Sequence, residues 1–340
     1  MKKTPTKNTK NVNILKRPII FLADWRPFPI YELISYVLMY ASVPMLAFGI
    51  QTYDFQITKI IILSVLTLYS GFFAALIWND ITDSEIDSIA HPNRPVPSGS
   101  ISKKKFFLIA LVFSSLTFIF AILVSVWCLA LVGITALFVA FHNKYLKKMI
   151  KFPAYSEIFT PIQWLTVATF GFLALWTNSL SPGEIQFTLP IVGYISLSGF
   201  DFQNMLILVL FTYFADDAHD LPEGVHDVEG DRKLGVRTYA TTFGVKNAAR
   251  ISFGMFFVSG IFGVLLFLRT VLSFIFLIPF LILWVYILIS SYKLLKLDEK
   301  DMGRMGRIVG RKGFNYLLMS YNLIFLDIVI QLINHNFNLF

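Results

Sequence analysis

The chain has 340 residues, of which 56% are hydrophobic and only 15% are charged, and its formal net charge is +8. Soluble domains carry about 25% charged residues, so this composition excludes an ordinary soluble enzyme and a disordered chain. The single cysteine, Cys128, excludes a disulfide framework and a cysteine-rich metal site. The class that remains is an integral membrane protein.

Nine apolar segments are long enough to cross the roughly 30 Å hydrocarbon core of a bilayer as helices. They cover residues 31–50, 57–78, 106–124, 126–142, 154–175, 203–219, 247–268, 271–292 and 314–333. The break between the third and fourth segments depends on Ser125. The apolar stretch 176–202 is interrupted by Pro and Gly, and we expect part of it to lie along the membrane interface as a short helix. We expect the Gly- and Arg-rich stretch 293–313 to be a charged cytoplasmic loop.

The basic residues fall in alternate connections between these segments. Of the 29 Lys and Arg residues, all except Lys59 and Arg269 lie in the N-terminal arm or in every second connection. Positive residues stay in the cytoplasm during insertion, so this pattern predicts a cytoplasmic N-terminus and, with nine segments, an external C-terminus. We expect residues 1–25 to form a basic cytoplasmic arm and residues 26–335 to form a single transmembrane domain in a cell membrane.

The carboxylates concentrate in two windows, each at the cytoplasmic end of an apolar segment. The first window contains Asp80, Asp83, Glu85 and Asp87. The second window contains Asp216, Asp217, Asp220, Glu223, Asp227, Glu229 and Asp231. Carboxylates at the edge of the hydrocarbon layer are energetically costly, and they indicate function by default.

The spacing of the carboxylates places several of them on one side of a helix. At 100° per residue, a helix through 79–87 would bring Asp80, Asp83 and Asp87 within about 60° of one another. Asp220, Asp227 and Asp231 fall within about 40° on the same count. Pro222 and Gly224 disfavour a continuous helix through the second window, and Pro222 could instead open a new turn.

Carboxylates that face the same way repel one another unless a cation lies between them. Mg²⁺ accepts one or two carboxylates together with the phosphate oxygens of a substrate. Two facing windows with a diphosphate between them would therefore bind Mg²⁺, which assists ionisation of the diphosphate as a Lewis acid. Basic residues on the same face could bind the remaining phosphate oxygens, namely Arg94, Lys148, Arg232 and Arg237.

Both windows resemble the aspartate-rich motifs of the UbiA-type intramembrane prenyltransferases. Asn79-Asp80-Ile-Thr-Asp83-Ser-Glu-Ile-Asp87 matches the pattern NDxxDxxxD, and residues 228–238 resemble VEGDRxxGxRT. These motifs are most similar to those of the chlorophyll synthase, homogentisate phytyltransferase and geranylgeranylglyceryl phosphate transferase branches. The sequence departs from those branches at one place, because Glu223 and Gly224 stand where they usually carry a Lys-Asp pair.

This resemblance implies an all-α bundle of about nine transmembrane helices around a central cavity, capped by the motif loops 79–105 and 216–246. It implies Mg²⁺-dependent transfer of an isoprenyl group from a prenyl diphosphate to a lipophilic acceptor. That acceptor could be an aromatic or quinone precursor, a prenylglycerol phosphate or a tetrapyrrole. The implied metal ligands are Asn79, Asp80, Asp83, Asp87, Asp220, Asp227 and Asp231, and the six aspartates are also the implied catalytic residues. The implied contacts to the diphosphate are Asn79, Arg94, Lys148, Arg232 and Arg237.

The sequence is also consistent with other interpretations. The same scaffold fits a membrane terpene cyclase, which acts on a prenyl diphosphate without an acceptor. A cation transporter would place carboxylates deep within apolar segments, where we expect only Glu157 and Asp327. We expect His219 and His226 to be hydrogen-bonding loop residues, with an acceptor-side base as the alternative. No nucleic-acid module is present, so the expected partners are the two substrates and membrane lipid, with the oligomeric state unspecified.

Overall fold

The computed structural model describes residues 29–337 apart from 83, 85–87, 89–93, 147–148, 179–182 and 191–192. The described residues form a helical bundle with one small strand pair. Its helices are α1 (Ile30–Phe48), α2 (Phe55–Thr82), α3 (Lys103–Val124), α4 (Val126–Phe141), α5 (Tyr155–Phe159), α6 (Ile162–Thr177), α7 (Gly199–Leu234), α8 (Tyr239–Phe243), α9 (Val245–Arg269), α10 (Phe274–Leu295) and α11 (Glu299–Phe337). A π-helical turn, His142–Leu146, extends α4, and the strands β1 (Ile185–Leu189) and β2 (Gly193–Leu197) precede α7.

Within the described residues, 8 helical stretches are long and apolar enough to cross a membrane. They overlap every predicted segment except 203–219, which lies in the first part of α7. Helix α7 is less apolar because Asp201, Asp216 and Asp217 stand among its hydrophobic residues. The prediction of an all-α, polytopic membrane protein is confirmed.

The outward faces of α3 and α4 are apolar, as expected for helices that contact lipid. Large aliphatic side chains on these two helices are half exposed or more, including Leu108, Val112, Ile119, Ile134 and Leu137. A helix that is apolar on all sides is stable only inside a protein core or a bilayer. These faces therefore agree with the membrane environment that the composition predicts.

Ser125 separates α3 from α4, as predicted. Its backbone is extended, with φ −170° and ψ 161°, so the helix is interrupted at this one residue. Its hydroxyl accepts a hydrogen bond from the backbone N–H of Cys128 at 3.1 Å and caps the start of α4. A serine at this position satisfies one of the free N–H groups at a helix start.

Helix α7 runs without interruption through Pro222, so the expected break in the second window is wrong. Proline removes the hydrogen bond that would reach the carbonyl of residue 218. The hydroxyl of Ser252, on α9, donates to the oxygen of Ala218 at 2.7 Å instead. The lost intrahelical hydrogen bond is thus replaced from a neighbouring helix.

Helix α11 is 39 residues long, so the prediction of a loop over 293–313 is also wrong for most of that stretch. Its glycines pack against α7. A Cβ on Gly313 would lie 2.7 Å from the Cβ of His219, and one on Gly306 would overlap the carbonyl oxygen of Pro222. Glycine lowers helix propensity but allows two helix backbones to approach closely, and close packing here outweighs the propensity loss.

The stretch after α6 forms an antiparallel hairpin rather than the expected interfacial helix. Ile185 pairs with Leu197, and the register continues to Leu189 opposite Gly193. The segments Ile-Gln-Phe-Thr-Leu and Gly-Tyr-Ile-Ser-Leu are rich in β-branched and aromatic residues and alternate in polarity, which favours strands.

The bundle places α7 between α9 and α11, with α6 also in contact. Helix α11 packs in turn on α1, which contacts α2 and α6. The shared core contains large buried side chains such as Tyr40, Phe211, Phe256 and Tyr321. The two predicted motifs therefore stand on α2 and α7, with α1 and α6 connecting their sides of the bundle.

Candidate active site

The first acidic region is the end of α2, comprising Asn79 and Asp80, together with Arg94. Asp80 is only 2% exposed. The Nη1 atom of Arg94 lies 3.5 Å from Oδ1 of Asp80, and Asn143 donates from Nδ2 to Oδ1 of Asn79 at 2.6 Å. An ion pair and an amide hydrogen bond thus connect this region to neighbouring segments. Asp83, Asp87 and Lys148 lie outside the described residues.

The second acidic region comprises Asp216, Asp217, Asp220 and Asp231 on α7 and Glu157 on α5. Asp216 is 1% exposed and Asp217 is fully buried. Both carboxylate oxygens of Asp217, and Oδ2 of Asp216, have no hydrogen-bond partner among the described residues. Buried carboxylates of this kind are costly unless a cation or a proton compensates them.

Tyr239, at the start of α8, lies beside this second region. Burial raises the pKa of the Tyr239 hydroxyl above its ordinary value, and the negative charge of Asp217 acts in the same direction. The pair of Tyr239 and Asp217 nevertheless lacks hydrogen-bond geometry. Tyr239 therefore closes the region on one side with a neutral side chain.

His219 connects two of the carboxylates of the second region. Its Nε2 lies 3.1 Å from Oδ1 of Asp216, and its Nδ1 lies 3.4 Å from Oδ1 of Asp220. The ring of Phe314, on α11, packs edge-on against the imidazole with the centroids 5.3 Å apart. His219 is thus a buried helical residue rather than the loop residue that we expected. It shares a hydrogen bond with Asp216, and its other ring nitrogen lies within ion-pair distance of Asp220.

The later part of the second window is more open to solvent. The side chain of Asp227 is 67% exposed, and its nearest ion-pair partner is His226 at 3.9 Å. Arg232 and Arg237 are exposed, and Asp231 is partly buried. Arg237 donates from Nη1 to the carbonyl oxygen of Lys151. The predicted residues of this window therefore divide into a buried group and a solvent-facing group.

Among the residues that the structure describes, no three His, Cys, Asp or Glu side chains meet as a formed metal site. The donor set still fits Mg²⁺, because this ion binds oxygen ligands and commonly takes one or two carboxylates, with water and phosphate oxygens as its other ligands. The unpartnered oxygens of Asp217 and Asp216 are the observation that supports this fit.

The two acidic regions are joined by the linking segment, residues 142–159, which runs from the π-helical turn to α5. Asn143 at its start binds Asn79 of the first region. Near its end, the backbone N–H of Ser156 donates to the carbonyl of Arg237 at 3.2 Å. Glu157 accepts a hydrogen bond from the backbone N–H of Tyr239. Lys148, a predicted diphosphate contact, belongs to the same segment in sequence.

The sequence predictions did not assign four of these positions to the site: Asn143, Glu157, Asp216 and Asp217. Asn143 is polar immediately after the fourth apolar segment, and π-helical turns often occur at functional sites. Asp217 ends the apolar part of α7, where a carboxylate is costly. Glu157 was expected inside an apolar segment, but the sequence carries no signal that would pair it with α7.

Asp327, the other carboxylate expected within an apolar segment, has a structural role. It is fully buried on α11, and its Oδ1 accepts hydrogen bonds from the hydroxyl of Ser273 at 2.7 Å and from Gln331 at 2.8 Å. Its Oδ2 accepts the backbone N–H of Ser273, at the start of α10. The carboxylate is thus used to fix the start of a helix, which gives no support to a transporter.

The chain is similar to two archaeal proteins named digeranylgeranylglyceryl phosphate synthase. The one from Methanococcus aeolicus is 27% identical over 285 residues, which cover 82% of this chain and 87% of that protein. The one from Saccharolobus solfataricus is 29% identical over 196 residues, which cover 57% of this chain and 60% of that protein. The second match therefore spans about three fifths of the relative's length.

The fold is similar to those of solved UbiA homologs. One from Aeropyrum pernix K1 superposes with a TM-score of 0.66 at 16% identity, covering 89% of this chain and 98% of that chain. One from Archaeoglobus fulgidus, bound to GPP and Mg²⁺, gives 0.52 at 14% identity, covering 87% and 99%. At these identities the likeness concerns the fold. The sequence itself matches the UbiA prenyltransferase family over residues 37–306, and the chain is an integral membrane protein that belongs to this family.

Proposed function

We propose that this protein transfers an isoprenyl group from a prenyl diphosphate to a lipophilic acceptor within the membrane, with Mg²⁺ as cofactor. The observation that carries the proposal is the pair of acidic regions at helix ends, joined by the linking segment. In the second region, both carboxylate oxygens of Asp217 and Oδ2 of Asp216 are buried without a hydrogen-bond partner among the described residues. A cation bridged to a diphosphate would compensate these carboxylates. The relatives named as synthases and the neighbour bound to GPP and Mg²⁺ support the same activity.

We assign some side chains to binding the metal ion and others to binding the diphosphate. Mg²⁺, when bound, supplies Lewis-acid stabilisation of the charge that develops on the leaving diphosphate. Its proposed ligands are Asn79, Asp80, Asp83, Asp87, Asp220, Asp227 and Asp231. We add Asp217 to this proposed set, because both of its buried carboxylate oxygens lack a hydrogen-bond partner among the described residues. Arg94, Lys148, Arg232 and Arg237 are proposed to bind the remaining phosphate oxygens, since guanidinium groups pair well with phosphate. Apolar helices exclude water from the isoprenyl chain.

The acceptor that we propose is a prenylglycerol phosphate, because the similar proteins are named as synthases of that class of lipid. The acceptor oxygen attacks the allylic carbon, the bond from that carbon to the diphosphate oxygen breaks, and the acceptor loses a proton. His219 is unsuited as the base because its two ring nitrogens already face Asp216 and Asp220.

The orientation in the membrane is part of the proposal. The distribution of Lys and Arg supports a cytoplasmic N-terminus with the arm 1–25 and an external C-terminus. It also supports a cytoplasmic position for the two motif segments 79–105 and 216–246, the second of which is largely helical rather than the predicted loop. Residues 26–335 then form one transmembrane domain around a central cavity. Single cysteines introduced near each end of a Cys128→Ala variant test this orientation by their accessibility in inverted and right-side-out vesicles.

The activity is tested with purified protein, geranylgeranyl diphosphate and a panel of acceptors, with products identified by mass spectrometry. We expect a Mg²⁺-dependent product with a geranylgeranylglyceryl phosphate acceptor and none in EDTA. A product with a quinone precursor alone would contradict the proposed acceptor. A hydrocarbon or alcohol formed equally well without any acceptor would replace the transferase by a terpene cyclase.

A further inference from the structure

Glu157 stands on α5, yet its carboxyl group lies within the second acidic region on α7. The residue is 6% exposed. Its Cδ atom is 3.6 Å from the position that a Cβ would take on Gly224, and its Oε1 atom would overlap that Cβ. The Glu157 carboxylate therefore occupies the space that a side chain at residue 224 would fill.

Gly224 leaves room for the Glu157 carboxylate because glycine has no side chain. It is buried in the middle of α7, where glycine lowers helix stability relative to alanine by about 1 kcal/mol and is used when another group must approach the backbone closely. The approaching group here is a carboxylate. Its other oxygen, Oε2, accepts the backbone N–H of Tyr239, which fixes the orientation of the carboxyl group.

The surroundings of Glu157 are acidic. Asp220 and Asp231, one turn before and two turns after Gly224, act electrostatically on its carboxyl group. Asp217 interacts with it in the same way and has both oxygens buried without a hydrogen-bond partner among the described residues. A carboxylate brought from another helix into such a group raises the repulsion unless a cation is shared.

We propose that Glu157 is a member of the carboxylate set that binds the divalent cation in the second acidic region, and that it takes the place of a carboxylate at residue 224. This inference rests on the proposed function, because it deepens the same site. Glu157 belongs to the linking segment, so this carboxylate lies outside the aspartate-rich motif on α7. A merely structural Glu157 would only accept the N–H of Tyr239.

The test removes the carboxylate at residue 157 and introduces one at residue 224. Four variants of the full chain are compared in detergent: Glu157→Ala, Glu157→Gln, Gly224→Asp and the double variant Glu157→Ala/Gly224→Asp. Mn²⁺ replaces Mg²⁺ as a spectroscopic probe, and its binding is measured from the loss of the free-ion signal in electron paramagnetic resonance. Size-exclusion profiles confirm that each variant is folded. The matched control is Glu184→Gln, since Glu184 also accepts a backbone N–H, that of Gly199, away from the site.

We expect Glu157→Ala and Glu157→Gln to weaken Mn²⁺ binding about 10-fold or more, in the range found for residues that support metal sites. Gly224→Asp alone also weakens binding, because the new side chain overlaps Glu157. The double variant restores binding to within about 3-fold of wild type, and Glu184→Gln is unchanged. Wild-type Mn²⁺ affinity in Glu157→Gln, or a double variant no better than Glu157→Ala, would overturn the inference.

Turnover measured in parallel separates this inference from the proposed function. If the wild-type protein makes product and Glu157→Gln binds Mn²⁺ normally, only the role of Glu157 fails. If the wild-type protein binds Mn²⁺, and the variants follow the expected order, but no acceptor is prenylated, the carboxylate set stands and the proposed transfer fails.

Discussion

The two acidic regions differ in how their charge is balanced. In the first region the buried Asp80 faces the guanidinium of Arg94, and Asn79 is held by Asn143. In the second region the buried Asp216 faces His219, while Asp217 has no hydrogen-bond partner among the described residues and Glu157 is added from α5. The first region can thus fold with its charge largely compensated, whereas in the second region we propose that a bound cation supplies the compensation. The contrast indicates that the buried carboxylates of α7, which are suited to bind a metal, lower the stability of the metal-free protein more than Asp80 does.

The largest effects are expected when one buried carboxylate is removed from each of the two acidic regions. Asp217→Asn and Asp80→Asn should both lower turnover on the order of 100-fold, as loss of one preorganised electrostatic group does in other enzymes. In EDTA, the two substitutions should change the melting temperature in opposite directions relative to the wild-type protein. Asp217→Asn raises the melting temperature because the cost of burying a carboxyl group without a hydrogen-bond partner is removed, and Asp80→Asn lowers it because the ion pair with Arg94 is lost.

The control for this comparison is Asp227→Asn. The side chain of Asp227 is 67% exposed, so its replacement should leave the metal-free melting temperature unchanged while still reducing turnover as a proposed ligand. A lower metal-free melting temperature for Asp217→Asn would show that its carboxylate is compensated within the protein.

The close packing of α11 on α7 should be the next most sensitive feature. Gly306→Ala places a Cβ against the carbonyl oxygen of Pro222, and overpacking of this kind costs about 1–3 kcal/mol. Melting temperature in detergent measures the effect. Gly254→Ala on α9 is the matched control, because nothing lies within 4 Å of its Cβ position and alanine favours the helix. Equal melting temperatures for the two variants would contradict the packing described here.

The hydrogen bond between Asn143 and Asn79 should make a smaller contribution to substrate binding. Asn143→Ala removes a net contribution of about 1 kcal/mol, which corresponds to a roughly 5-fold higher KM for the prenyl diphosphate. The exposed Asn247, whose amide donates to the carbonyl of Phe243 at 3.0 Å, provides the control variant Asn247→Ala. An unchanged KM in Asn143→Ala would exclude the linking segment from the organisation of the first region.

The replacement hydrogen bond at Pro222 predicts a coupling between two helices. Ser252→Ala should lower the free energy of unfolding by about 1 kcal/mol, since the carbonyl of Ala218 loses its donor. In a Pro222→Ala background the restored N–H of residue 222 can bond to that carbonyl, so the same substitution should have little effect. A double-mutant cycle on chemical unfolding measures this coupling, and additive effects would refute it.

Local signals in the sequence predicted much of the fold. Ser125 is polar within an apolar stretch and a good helix cap, so both its position and its role were predictable. The runs of apolar residues likewise predicted the membrane-spanning helices. The wrong predictions have nonlocal causes: α7 continues through Pro222 because Ser252 supplies a donor, and α11 forms despite its glycines because α7 packs against them.

In the candidate site, too, the sequence predicted the features that are local and missed those that depend on distant residues. The acidic windows and their Arg residues were visible as motifs, because their members are close in sequence. The contact of Glu157 with Gly224, and that of Asn143 with Asn79, joins residues more than sixty positions apart. Periodicity within one segment contains no information about such pairs, so only the packed structure places the linking segment between the two acidic regions.

The most direct test of the account is the change in melting temperature that a divalent cation causes in wild-type protein and in Asp217→Asn. Both proteins are unfolded in detergent with EDTA, with Mg²⁺, and with Mg²⁺ plus inorganic diphosphate. We expect Mg²⁺ plus diphosphate to stabilise the wild-type protein and Asp217→Asn to lose most of this shift. An equal shift in both proteins would contradict the claim that the buried carboxylates of α7 need the cation.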